Sequence, residues 1–154
     1  MCVYKGTLIA VKNMEESKRF YQDILGMRVT GDFGANVRLE GGVFLQMLDT
    51  WEGFINSREV YLKNHAVELY FEVSDIDAFY KRIQTEGIEL VHELLEHRWG
   101  QKVVRFYDPN HHVIEVGEEM SMVVKRFLRG GMTVEQAAKR MDISIDDIKE
   151  YLEH

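Results

Sequence analysis

Two hydrophobic periods alternate along the chain, and the alternation occurs twice. Residues 4–11 have the pattern of a β-strand, with Gly6 at a place where a ligand or another backbone can come close. Asn13 followed by Glu16 has capping-box spacing. The segment behind them carries Phe20, Tyr21, Ile24 and Leu25 on one helical face until Gly26 ends it. Residues 27–33, 37–40 and 43–49 read as three strands, separated by Gly34 and by Gly41-Gly42. The order β-α-β-β-β then recurs. It runs through a strand at 66–73, a helix capped by Ser74 or Asp75 with Ile76, Phe79, Tyr80 and Ile83 on one face, a stop at Gly87, and strands at 89–95, 101–107 and 112–117. Val11 matches Val73, Asn13 matches Asp75, Phe20-Tyr21 matches Phe79-Tyr80, Ile24 matches Ile83 and Gly26 matches Gly87, so an internal duplication accounts for the pattern.

The class expected is therefore α+β. Two βαβββ modules leave each sheet with helices on one face, free to curve together as a mixed-sheet cup. Between the halves, residues 50–64 lack clean periodicity and read as an aromatic loop carrying Trp51, Phe54, Ile55 and Tyr61, suited to a pocket wall or a dimer contact. The last two strands meet at a tight turn. Pro109 follows Asp108, and Asn110 and His111 are residue types that tolerate positive φ. Beyond the turn, Glu115 is a carboxylate between Ile114 and Val116 in an apolar strand, and on its own such a glutamate reads as solvent-facing.

Charge and composition narrow the function classes. A net charge of −7 over 154 residues argues against broad backbone-driven nucleic-acid binding and against anionic membrane surfaces. With 45% hydrophobic and 29% charged residues, the chain can bury a sizeable core. Cys2 stands alone, which excludes an internal disulfide and has no catalytic context. No apolar run reaches membrane-spanning length and the first residues do not have the form of a signal peptide, so a cytoplasmic protein is expected.

Three motifs carry a family resemblance. They are Val11-Lys-Asn-Met-Glu-Glu-Ser-Lys-Arg-Phe-Tyr-Gln-Asp-Ile-Leu-Gly26, Val73-Ser-Asp-Ile-Asp77 and Phe106-Tyr-Asp-Pro-Asn-His-His-Val-Ile-Glu115, within about residues 3–118. With them the chain resembles the vicinal oxygen chelate superfamily, the fold of glyoxalases, bleomycin-resistance proteins and extradiol dioxygenases. That fold hosts several reactions and also metal-free binding, so the resemblance implies a fold more firmly than a reaction. Metal-dependent members hold one divalent ion with four side chains, and the resemblance maps these positions onto Gly6, Gln46, Glu68 and Glu115. Both histidines usual in the family are replaced, by Gly6 and Glu68, so ordinary glyoxalase I activity is not expected.

Strand alternation places Gly6, Gln46, Glu68 and Glu115 on the cup face if Leu69, Phe71 and Val73 face the helices. Two carboxylates approaching there need a cation, a shared proton or escape to solvent. Three solutions compete: a hard ion such as Mg²⁺, Mn²⁺ or Ca²⁺ held by Gln46, Glu68 and Glu115, a salt bridge to Arg105 or to a cationic substrate, or one glutamate turned to water. Zn²⁺ is disfavoured for want of nitrogen and sulfur ligands. Glu115 and Glu68 are the catalytic candidates. Tyr4, Phe44, Tyr70, Trp99 and Arg105 are candidates for substrate contact, with His97 beside Trp99 at the mouth. His65, His111 and His112 flank turns and are expected at the surface.

Residues 119–154 lie outside the resemblance, which covers a domain of residues 1–118. Helices are expected at 123–128 and 134–141, with Gly130-Gly131 between them and Thr133 as N-cap, and a last helix capped by Ser144 runs to Leu152. The segment from Thr133 onward resembles a helix-turn-helix, but its second helix carries Asp146, Asp147, Glu150 and Glu153 against Lys149 and would repel phosphates. A helical appendage packed on the sheets or on a second subunit is the reading adopted, with nucleic acid not expected as a partner. The function expected is small-molecule binding in the cup, as a metal-assisted lyase or isomerase or, alternatively, as a metal-free sequestering protein of the bleomycin-resistance type. A ligand-responsive regulator is a third reading. The resemblance also implies a homodimer.

Overall fold

Helix starts and stops coincide with the Asx and glycine signals of the two repeats. The structure is a computed structural model and describes residues 1–153. In the first repeat, β1 (Thr7–Val11) leads into α1 (Met14–Asp23), whose Asn13 cap accepts from the Glu16 amide at 3.0 Å. In the second, β5 (Glu68–Val73) leads into α3 (Ile76–Thr85), whose Asp75 cap accepts from the Ala78 amide at 2.9 Å. Gly26 and Gly87 close the two helices at φ of 70° and 67°, a conformation that side chains with a Cβ disfavour.

Three strands follow each helix: β2 (Val29–Asp32), β3 (Asn36–Leu39) and β4 (Val43–Met47) in the first repeat, and β6 (Leu90–Glu96), β7 (Lys102–Tyr107) and β8 (Val113–Glu118) in the second. The first sheet has the order β1-β4-β3-β2 and the second β5-β8-β7-β6, the same topology with parallel β1/β4 and β5/β8 pairs. The expected α+β architecture of two mixed four-stranded sheets is present.

The repeat extends further than its hydrophobic pattern indicates. The segment at 50–64, read as a loop, begins inside a helix, α2 (Leu48–Ile55), and α4 (Met120–Arg129) follows β8 at the equivalent place. The capping residues Met47 and Glu119 share one backbone geometry, with φ/ψ of −57°/132° and −52°/133°. The α2 helix has no side-chain cap and carries Trp51, Phe54 and Ile55 without a clean apolar stripe, which is why periodicity missed it.

The chain divides into two compact units: residues 1–67 with 107–112, and residues 68–106 with the chain from 113 onward. In the first, Val11, Tyr21, Val37 and Leu45 are fully buried. Its turn at 107–112 is fastened by Asp108, which accepts from the Tyr21 hydroxyl and from the Asn110 and His112 amides, all at 2.8 Å. Asn110 in turn accepts from the Lys12 amide at 2.8 Å and donates to Ser17 Oγ at 3.0 Å. Burial, together with Asp108, pushes the Tyr21 hydroxyl well above its ordinary range. His111 is the turn residue with positive φ, at 62°, while His112 does not take the surface place expected of it and pairs through Nδ1 with Asp108 at 2.8 Å.

In the second unit, Ile83, Val103, Val104, Phe106, Ile114 and Val116 are fully buried, each worth about 1.5–3 kcal/mol of hydrophobic stabilisation. The tail forms α4, α5 (Val134–Met141) and α6 (Ile145–Glu153) around Val123, Val124, Phe127, Ala137, Ala138, Met141 and Ile148. Thr133 and Gln136 complete a capping box on α5. The tail meets the rest of its unit at the end of β8 and at the turn before β7. Arg126 of α4 donates to Glu118 of β8 at 2.8 Å and to the Gly100 carbonyl at 2.5 Å. A Cβ on Gly100 would fall 2.1 Å from the Phe127 ring, so that glycine is required by close packing. No helix among the described residues is long and apolar enough to cross a membrane.

Candidate functional site

The carboxylate pair sits on one face of the second sheet. Along β5, exposure alternates, so Glu68, Tyr70 and Glu72 share a face and the half-buried Leu69, Phe71 and Val73 share the other. The parallel register sets Tyr70 beside Glu115 and Glu68 beside Val113, which places Glu115 on the same face as Glu68. Glu115 is buried, with 6% of its surface exposed.

Arg105 of β7 resolves the charge conflict between them. Its Nε donates to Glu68 Oε2 at 2.7 Å and its Nη2 pairs with Glu115 Oε2. Its Nη1 lies 3.3 Å from His92 Nε2, which must act as acceptor because a guanidinium only donates. The Nδ1 of His92 lies 2.7 Å from the Glu93 carbonyl and so carries the ring proton. His92 thereby adds a fourth member to the cluster. His92 was not singled out from sequence. It faces Arg105 across a β6/β7 ladder whose register shifts on both sides of it, and such irregularity leaves no trace in a period-two pattern.

The two glutamates titrate in opposite directions. Desolvation is the main cause that raises the Glu115 carboxyl above its ordinary value, partly offset by Arg105. The hydrogen bond from Arg105 is the main cause that holds Glu68 below the usual carboxylate range. The carboxylates in turn raise the Arg105 guanidinium.

This donor set fits a resident divalent ion poorly. The position such an ion would take between Glu68 and Glu115 is served by a guanidinium bonded to both. Gln46 is buried in the first unit with both ends of its amide committed: Oε1 accepts from Asn36 at 2.9 Å and Nε2 donates to Thr50 Oγ1 at 2.6 Å. Gly6 precedes β1 instead of lying within it. A Cβ there would meet the Gly42 carbonyl at 2.1 Å and the Phe44 ring at 2.5 Å, so no histidine can replace it without moving backbone. The close approach expected at Gly6 is that of the Gly42 backbone, in the turn just before β4. Among the described residues no cluster of three or more His, Cys, Asp or Glu side chains is placed to hold a metal.

The remaining candidates fall into two groups. In the second unit, Gln101 ties Tyr70 to Trp99, its Nε2 donating to the Tyr70 hydroxyl at 2.9 Å and its Oε1 accepting from Trp99 Nε1 at 3.2 Å. Tyr70 also donates to Glu72 at 2.7 Å, and burial with that bond pushes its hydroxyl up to about 12. Trp99 stacks on His97 with ring centroids 4.2 Å apart, and burial, then Arg105, lowers the His97 imidazole. Gln101 is a second residue that sequence reading passed over, because an uncharged residue opening a strand carries no chemical signal. In the first unit, Tyr4 is exposed and pairs with Thr7 Oγ1 at 2.6 Å, while Phe44 lies 5.9 Å under the Arg38 guanidinium. Cys2 is exposed, and His65 meets the Tyr107 hydroxyl at 2.6 Å.

Comparison with known proteins matches residues 4–121 to a family described as the glyoxalase-like domain. A solved structure described as a protein of unknown function from Agrobacterium tumefaciens str. C58 is 35% identical. The match covers 77% of this chain and 95% of that one with a TM-score of 0.68. A glyoxalase-related enzyme from Fulvimarina pelagi is 14% identical over 79% of this chain and 91% of its own, with a TM-score of 0.67, which speaks for the fold alone. The Bacillus subtilis (strain 168) protein YraH is 23% identical over 117 residues, 70% of this chain and 91% of its own.

Proposed function

The chain belongs to the glyoxalase-like domain family, and on that footing we propose that it binds a small polar molecule on the Glu68–Arg105–Glu115 face of its second sheet without a resident metal. The observation that carries this reading is Arg105, which pairs with both carboxylates from the place a metal would need. The cluster's formal charge is two carboxylates against one guanidinium, so a cationic or hydrogen-bond-donating ligand is favoured over an anion. Tyr70, set beside Glu115 by the β5/β8 register, supplies flat surface next to it. Sequestration of a planar cationic compound is the form of binding most in keeping with this chemistry.

A second reading is proton transfer of the lyase or isomerase kind, favoured by the opposed titration of the pair. A carboxyl raised above its ordinary range beside one held below it is the arrangement that divides acid and base work. Glu115 would move the proton, and Glu68 would keep Arg105 oriented. A metal-assisted version, with Mg²⁺, Mn²⁺ or Ca²⁺ between Glu68 and Glu115, requires Arg105 to leave, so no step is assigned to a metal. A homodimer in the cytoplasm belongs to the same proposal, and sedimentation of the purified chain checks the pairing.

The test combines elemental analysis of the purified protein with calorimetric titration against aromatic amines and with assays on the methylglyoxal–glutathione hemithioacetal. The reading expects substoichiometric metal, saturable binding of a cationic aromatic compound that is lost in Glu115→Gln, and no hemithioacetal turnover. One equivalent of Mg²⁺, Mn²⁺ or Ca²⁺ retained through purification overturns it, and hemithioacetal turnover does the same.

A further inference from the structure

A second cleft, of about 540 Å³, lies between the loop after β6 and helix α5, lined by Arg98, Trp99, Gln136, Lys139, Arg140 and Asp142. That volume is within the range of small-molecule sites. All six residues belong to the second unit, and four of them come from the tail beyond residue 121, where the family match ends. The cleft therefore lies mostly outside the matched family domain.

Its charge runs against that of the whole molecule. Three cations face one carboxylate here, while the chain carries −7. Lys139 has no ion-pair or hydrogen-bond partner among the described residues. Arg98 reaches Asp142 only at 3.8 Å, with both side chains more than 80% exposed, a pair too loose to neutralise it. Arg140 leans on Glu96 at 3.4 Å. Gln136 spends its Oε1 on the Thr133 amide at 2.8 Å, which leaves its Nε2 protons to point elsewhere. The wall of the cleft thus offers donors and positive charge with little internal compensation.

Trp99 supplies the other half of the chemistry. Its Nε1 is committed to Gln101 and one ring face to His97, so what it offers the cleft is apolar ring surface. A flat ring against an indole with an anionic group reaching Lys139 and Arg98 satisfies both halves. Duplex nucleic acid is a poor occupant, because α6 next to the cleft carries Asp146, Asp147, Glu150 and Glu153. We propose that this cleft binds a small planar organic anion, with phosphate or carboxylate as the charged group.

The full chain carrying Trp51→Phe, which leaves Trp99 as the sole tryptophan, tests this by fluorescence titration. Adenosine monophosphate probes the phosphate source, benzoate the carboxylate source, and inorganic phosphate the charge without a ring. Saturable quenching by either ring-bearing anion is expected. Lys139→Ala should weaken it about threefold, as expected of an exposed ion pair, and Arg98→Glu about tenfold through reversed charge. Both residues are exposed, and circular dichroism confirms that the variants fold. The proposal is overturned if neither ring-bearing anion quenches saturably, if Lys139→Ala and Arg98→Glu change nothing, if inorganic phosphate binds as tightly as either, or if duplex DNA alone binds through these residues.

Discussion

Arg105 Nε donates to Glu68 Oε2 at 2.7 Å, and the guanidinium that makes this bond also pairs with Glu115. One cation thus holds two neighbouring carboxylates whose charges would otherwise repel each other.

Replacing that cation separates structural pairing from metal binding. Arg105→Met leaves Glu115 buried without its counter-charge. A fully buried pair broken in this way costs about 3–5 kcal/mol, and the exposure of Arg105 and Glu68, at 25% and 38%, reduces the expected loss to about 1–3 kcal/mol. Thermal unfolding should fall by several degrees, about 2–4 °C per kcal/mol for a chain of this size. Mn²⁺ or Ca²⁺ should then restore part of the loss in Arg105→Met while leaving the parent protein unaffected. Equal stabilisation of both would show that Arg105 does not stand in for a cation.

Opposite titration of the two glutamates gives opposite pH slopes. Glu115 has a folded-state pKa above its ordinary value of 4.5, so its contribution to stability is present below that value and lost as pH rises through the folded one. Glu68 has a lowered pKa, so its contribution is present above 4.5 and lost as pH falls through the lower value. Denaturant titrations should therefore show the stability of the parent relative to Glu115→Gln decreasing as pH rises above about 4.5. Relative to Glu68→Gln it should increase as pH rises toward the same value. Slopes of the same sign would mean that burial and pairing have been assigned to the wrong carboxylates.

Much of the fold is legible in the sequence, because it rests on local chemistry stated twice. Asn13 and Asp75 cap, Gly26 and Gly87 stop, and the two repeats give the same strand order. The α2 helix could not be read, since Met47 offers no capping side chain and the helix is too short to show a stripe. At the site, alternation correctly brought Glu68, Tyr70 and Glu115 to one face, and Arg105 was named as one of the groups that could neutralise the pair. His92 and Gln101 were missed because their roles depend on a bulged register and on a hydrogen-bond chain, both three-dimensional facts. His112 was misread because a turn histidine looks superficial until Asp108 is known to be buried.

Gly6 should resist any attempt to reinstate a histidine. Its φ of 149° and the 2.1 Å approach of a built Cβ to the Gly42 carbonyl combine backbone strain with a clash against backbone. Gly6→Ala should cost about 2 kcal/mol or more, seen as a fall in Tm, and Gly6→His at least as much. Gly26→Ala is the control: it has positive φ but open space around the Cβ, and should cost about 1 kcal/mol. Equal losses at the two glycines would leave the clash at Gly6 without energetic weight.

Tyr70 provides a spectroscopic reading of the same face. Its hydroxyl donates to Glu72 and accepts from Gln101, and its pKa is pushed up to about 12 by burial first and by Glu72 second. The difference in phenolate absorbance between the parent and Tyr70→Phe should therefore titrate near 12 and not near the ordinary 10. With the folded pKa raised, the stability contribution of Tyr70 is intact below pH 10 and declines as pH climbs from 10 toward 12. Two neighbours should move the midpoint in opposite directions. Glu72→Gln removes a charged acceptor that favours the neutral phenol, so the midpoint falls. Gln101→Leu removes a donor that favours the phenolate, so the midpoint rises, and the release of Trp99 Nε1 should alter the tryptophan emission at the same time. Shifts in the same direction would place the Tyr70 proton on the Gln101 side of the hydroxyl and reverse the chain that links this tyrosine to Trp99.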